Sequence, residues 1–161
     1  MGCTVLNREA KVSDVGELEG LESHDEAKLR AAVSKARQIR RHAARLLCAV
    51  CLNVSMPEAA YWAVEYEEAR RYRDHCELGP YLAAQMVDAD EEAIEERCVE
   101  IERAHIARLS YIGSCRRAER LHLKTLRRMV TDPRFTVDDI WQYPYLGGQS
   151  QWPDPAVFGL A

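Results

Sequence analysis

The feature that most constrains this chain is the stretch from Glu91 to Val130, which contains no proline and returns apolar or aromatic side chains every three or four positions. Ile94, Cys98, Ile101, His105, Leu109, Ile112, Leu126 and Met129 fall near one side of a 3.6-residue helix. Acidic residues from Asp88 to Glu102 crowd its first turns, and Arg103, Arg108, Arg116, Arg117, Arg120, Lys124, Arg127 and Arg128 follow, an order that complements the helix dipole. At 1.5 Å per residue such a helix runs about 60 Å, more than the diameter of a compact domain. The expectation is all-α: an elongated helical bundle or a long helical hairpin. Gly113 is where a kink or a close approach is expected.

Two further helices precede it. Ser23 with Glu26 has the form of a capping box, and Leu29, Val33, Ala36, Ile39, Ala43, Leu46 and Val50 mark an apolar face over about 24–54. Ser55, Pro57 and Glu58 then restart the helix over about 56–76, with Trp62, Tyr66, Ala69 and Tyr72 on one stripe and Glu65, Glu68, Arg71 and Asp74 elsewhere. Trp62, Tyr66 and Tyr72 are the expected bundle anchors. Gly79-Pro80 ends this helix, and a short apolar piece over 80–87 leads to Asp88 or Asp90 as cap of a helix over about 91–130. Residues 1–22 read as a flexible leader, 23–131 as the helical domain, and 132–161 as an extended docking arm.

That last segment has its own grammar. It holds Pro133, Pro144, Pro153 and Pro155 with Phe135, Trp141, Tyr143, Tyr145, Trp152 and Phe158, and carries no Lys or Arg after Arg134. Thr136 to Gln142 suits one short capped turn of helix, and the prolines exclude long regular structure elsewhere. Those six aromatics are the expected contact residues of the arm. The competing reading folds the segment back along its own helices.

Composition narrows the function classes. Of 161 residues 47% are hydrophobic and 30% charged, and no uncharged apolar run approaches the roughly 18 residues of a membrane span. A formal charge of −4 gives no global attraction for nucleic acid or an anionic membrane. Yet no acid lies between Ala27 and Pro57, where Lys28, Arg30, Lys35, Arg37, Arg40, Arg41 and Arg45 put a basic block on the polar face of the helix. Arg37, Arg40, Arg41 and Arg45 form a charged contact face, and the block is expected to pair, within one chain or between copies, with the acidic block at 88–102. Few aromatics interleave these cations, a poor match to base-stacking readers of nucleic acid.

No residue set makes an active site, and the chain is expected to be a non-enzyme without metal or cofactor. Six cysteines and a polar, acidic start point to a reducing compartment. Cys48 and Cys51 form a CxxC inside an apolar helical run and are expected in the core. Glu102–His105 and Glu119–His122 have the Glu-x-x-His spacing of di-iron carboxylate proteins, but on one helix they lie about 25 Å apart. Both histidines are therefore expected inside the bundle, each second ring nitrogen meeting a local acceptor. Met1 to Val5 resembles the opening of G-protein alpha subunits, which implies acylation of Gly2 and Cys3, although Leu6 replaces the preferred Ser or Thr.

A second resemblance is broader. Tyr61 to Tyr72, then Gly79-Pro80-Tyr81-Leu82, an acidic helix start, and Gly113 with Arg116, Arg117 and Glu119 resemble a helical module of small tail-region proteins of tailed bacteriophages and prophages, over roughly 57–126. The resemblance implies a structural or assembly protein of a virion, a tail, neck or fibre-attachment component, with other virion proteins and copies of itself as partners. Its place would be the virion, assembled in the host cytoplasm. The alternative is a cytoplasmic helical adaptor or regulator, at a membrane only if acylated at Gly2.

Overall fold

The computed structural model describes residues 25–52, 56–146 and 151–160. Among them there is no strand. Five α-helices follow in order, α1 Glu26–Leu52, α2 Met56–His75, α3 Pro80–Gln85, α4 Glu91–Thr131 and α5 Val137–Gln142, with a 3₁₀ turn at Pro155–Phe158. The protein is all-α, as its periodicity requires. Gly2, Cys3, Ser23 and Ser55 lie outside the described residues. The cap visible at α1 is Asp25, whose Oδ1 accepts from the backbone N–H groups of Ala27 and Lys28 at 3.1 Å each. Asp90, not Asp88, caps α4 through the Ala93 N–H at 2.9 Å. Thr136 and Asp139 close a reciprocal capping box on α5.

The helices distribute over two compact units, residues 1–45 with 116–152 and residues 46–115 with 153–161. In the first, Ala31, Ala32, Ala36 and Ile39 of α1 form a core with Leu126, Met129 and Val130 of α4 and Ile140 of α5. Small side chains let the α1 backbone approach closely, and the larger ones opposite fill the space. Lys28 and Lys35, expected on the basic outer face, are instead 9% and 7% exposed.

The second unit is centred on Ala69 of α2, Leu82 of α3, and Cys98 and Ile101 of α4, flanked by Tyr66, Tyr72, Leu78 and Ile94. Glu68, expected on the polar side of α2, is buried, and its carboxylate accepts the backbone N–H groups of Tyr81 at 3.2 Å and Leu82 at 2.8 Å. These are donors that the start of α3 leaves unpaired, and the residue at its N-cap, Gly79, has no side chain to meet them. Gly79 must stay a glycine because a Cβ there would overlap Cγ and Cδ of Glu68. At the end of α2, Cys76 takes the left-handed conformation (φ 57°) and donates its N–H to the Tyr72 carbonyl at 2.7 Å.

Four expected helix positions are corrected. Leu109 and Ile112 are 56% and 40% exposed, because the buried stripe of α4 continues from Ile101 through Tyr111, Cys115, Ala118 and His122. Those residues keep the three- and four-residue steps, but Tyr, Cys and His mask them in a hydrophobicity pattern. Cys48 is exposed, one turn beyond Ala44 and Arg45 on the outward face of α1. Gly113 is also exposed, with nothing near a built Cβ, so it admits no close neighbour, and α4 runs through it without interruption.

Gly79→Ala should lower stability by about 1–3 kcal/mol through overpacking, whereas Gly113→Ala should raise it by about 0.5–1 kcal/mol through helix propensity. Ile140→Ala, at a fully buried site, should cost about 2–5 kcal/mol. Chemical denaturation of the three variants measures all of these changes.

Candidate functional site

The densest polar chemistry of the first unit gathers around Trp152. Its indole N–H donates to the Tyr145 carbonyl at 2.8 Å, while its ring lies edge-on to His42 at 5.0 Å and stacks on His122 at 5.2 Å. Lys35 donates to the Trp141 carbonyl and sits 5.6 Å from the centre of the Tyr145 ring. His122 Nδ1 lies 2.8 Å from the Tyr143 hydroxyl, but its buried Nε2 has no hydrogen-bond partner among the described residues. Only one of its two ring nitrogens thus meets the expected local partner.

Burial sets the charge state of this cluster. It lowers the pKa of His122 from the ordinary imidazole value, and the neighbouring His42 lowers it further. Burial and then Arg45 lower that of His42, and burial lowers Lys35 and raises Tyr143. Two neutral imidazoles against an indole make a packing clamp. His42 was not singled out in the sequence, and Lys35 reads there only as one of the basic block, although it lies one turn from the apolar positions Ala31, Ala32 and Ile39.

The clamp decides the fate of the C-terminal segment. Phe135, Tyr143, Tyr145 and Trp152 pack against the first unit's core, and Phe158 meets Tyr111 edge-on at 5.6 Å in the second unit. Trp141 alone of the six expected arm aromatics is largely open, at 45% exposure. The extended arm is therefore corrected to a segment packed on its own helices, because an alanine-lined face leaves room that only large rings can fill.

In the second unit the expected anchors separate. Tyr66 and Tyr72 pack on the core, and the Tyr66 ring stacks on His105 at 3.9 Å. Trp62 is half-buried, with the Arg108 guanidinium 4.0 Å over its ring, so it is a cation–π contact more than a sealed anchor. Tyr61, 48% exposed, stacks on Tyr81 at 5.3 Å. Buried Tyr111 bonds the Leu46 carbonyl at 3.4 Å, and burial followed by the Cys115 contact pushes its pKa up to about 12.

The Glu-x-x-His pairs are engaged otherwise. Glu102 accepts from Arg73 at 2.6 Å, and Glu119 pairs with Arg116 at 2.9 Å and with Arg40 at 4.0 Å. Among the described residues no group of three His, Cys, Asp or Glu side chains is placed to hold a metal, and no helix is long and apolar enough to cross a membrane. The side chain of Cys51 lies outside the described set.

Charge, by contrast, is strongly sorted. Residues 25–45 and 116–152 carry fourteen Lys and Arg against six Asp and Glu, and residues 46–115 with 153–161 carry six against fifteen. The net values are +8 and −9. On the basic unit Arg40, Arg120, Lys124 and Arg127 surround a depression of about 210 Å³. Ala36, Leu123 and Leu126 complete its lining. Of the expected contact face, Arg37, Arg41 and Arg45 are exposed and Arg40 is half-buried. Arg40 reaches Glu119 and Glu102 reaches Arg73, each inside its own unit. The contribution of α4's last third to the basic surface was legible only as a helix-dipole pattern.

Compared with known protein families, curated proteins and solved structures, the chain finds no match.

The clamp predicts a pH dependence. His122 and His42 have folded pKa values below the ordinary 6.5, so the unfolded chain binds more protons in the acid range. Their contribution to stability is complete above 6.5 and is lost as pH falls through the folded values. Denaturation monitored by tryptophan emission at about pH 7.5 and about pH 5.5 should show this loss, and His122→Phe should shrink it.

Proposed function

We propose that the chain is a non-enzymatic assembly protein of a tailed-phage virion, a tail, neck or fibre-attachment component, that docks on its neighbours through the charged faces of its helices. The observation that carries the docking reading is the sorting of charge, +8 over residues 25–45 and 116–152 against −9 over residues 46–115 and 153–161. A protein that needed charge only for solubility would intersperse both signs, since large single-sign fields repel within one fold and attract opposite surfaces. The exposed edge of Trp141 beside the basic unit's core adds an apolar contact of the kind that anchors protein interfaces.

The virion setting rests on the resemblance of residues 57–126 to the phage tail-region module. The packed C-terminal segment changes the expected mode of docking: rigid helix surfaces carry it, and little ordering entropy is lost on association. The test is mass spectrometry of virus particles purified from the host that encodes the chain. Recovery at a fixed copy number relative to the major structural proteins is the expected result, and its absence from intact particles overturns the setting. A fatty acyl group on Gly2 in the intact mass would favour the membrane adaptor instead.

A further inference from the structure

We infer that the basic unit takes as its partner the acidic start of α4 in a second copy of this chain, so that copies associate through two different surfaces. The inference rests on the docking reading above and names the occupant of the basic surface.

The argument begins with spacing. Glu92, Glu96 and Glu100 are all exposed and stand at i, i+4 and i+8 on α4, with Glu91 and Glu95 beside them. Arg37, Arg41 and Arg45 are all exposed at the same intervals on α1. Arg116, Arg120, Lys124 and Arg128, also exposed, repeat the interval on α4. Eight helical residues cover about 12 Å, so the acidic and basic rows have equal length. Like charges four residues apart destabilise a helix, and an isolated chain would relieve them by alternating sign. The dipole of α4 accounts for Glu91, Glu92 and Arg128 but fades within the first and last turns. Inside the chain Glu100 meets Arg97 at 3.2 Å and Arg116 meets Glu119 at 2.9 Å, both pairs within one helix that contribute little and leave the rows facing solvent.

Five of the six acids of the basic unit are engaged locally. Asp25 and Asp139 cap helices, Glu26 pairs with Arg30, Glu119 with Arg116, and Asp132 with Arg134. Residues 1–24 carry a net charge of −3, too small to balance +8, and the exposed acidic row of a second copy offers a surface of opposite sign and equal spacing. One surface meeting a different one on the next copy is a heterologous contact, which closes into a ring or extends as a filament.

Sedimentation velocity of the full chain tests this. At about 50 mM salt copies should associate and at about 500 mM they should separate, because the attraction is screened. Reversing the basic rows by Arg37→Glu, Arg41→Glu, Arg120→Glu and Lys124→Glu should give a monomer of unchanged helical content, and so should Glu92→Lys, Glu96→Lys and Glu100→Lys. Mixing the two variants should restore association, since each reversed row again faces its opposite. A wild-type chain that stays monomeric at low salt overturns the inference, as does association indifferent to salt or a mixture that remains monomeric. Binding of a DNA duplex by the basic rows in a chain that does not self-associate also overturns it. If self-association fails while the chain is still recovered in virions, only this inference falls and the assembly reading stands.

Discussion

The structure of the first unit depends on one constraint, the smallness of the α1 face. Ala31, Ala32, Ala36 and Ala43 are buried almost completely, yet each removes far less apolar surface from water than a leucine would. Two helices packed on alanines alone would bury too little to offset the entropy of ordering them. The missing area comes from the other end of the chain, where Phe135, Ile140, Tyr143, Tyr145 and Trp152 close over the helices. The aromatic segment is thus part of the core that α1 lacks, and the histidines and Lys35 are buried because those rings cover them.

Charge follows from the same economy. With the apolar faces turned inward and the rings drawn onto them, the outer faces of α1 and α4 are left to Arg, Lys and Glu, and the sequence sorts these by unit instead of mixing them. Exposed ion pairs inside a unit, such as Arg70–Asp74 and Arg97–Glu100, contribute little to folding. Rows of one sign contribute nothing favourable to the isolated fold, so their arrangement is informative about what surrounds the protein.

The helices were legible in the sequence because their signals are local. Periodicity, the Ser-x-Pro-Glu restart, Gly79-Pro80 and the Thr136 cap each act within a few residues. What was illegible required knowing which distant residues meet. Glu68 reads as one more surface acid of α2 until the start of α3 is seen against it, thirteen and fourteen residues away. Lys35 reads as part of a basic face, yet its ammonium is 106 positions from the carbonyl that receives it. Prolines and aromatics in the last thirty residues announced an irregular segment correctly but not where it lies, since a ring that docks on a partner and one that docks on its own helix have the same composition. Tyr111, Cys115 and His122 kept the helical step while hiding it from a hydrophobicity count.

The chain passes between the two units at 45–46, at 115–116 and again at 152–153. That threading imposes an order on biosynthesis. Residues 46–115 leave the ribosome with nearly all of their unit's partners at hand. The alanine face of α1, made first, must wait for residues 116–152, an interval of roughly 5–20 seconds at ordinary elongation rates. During it α1 has neither its helical partner nor its aromatic cover. Completion of the first unit is therefore set by the last of its residues to be made, while the second unit has most of its chain earlier.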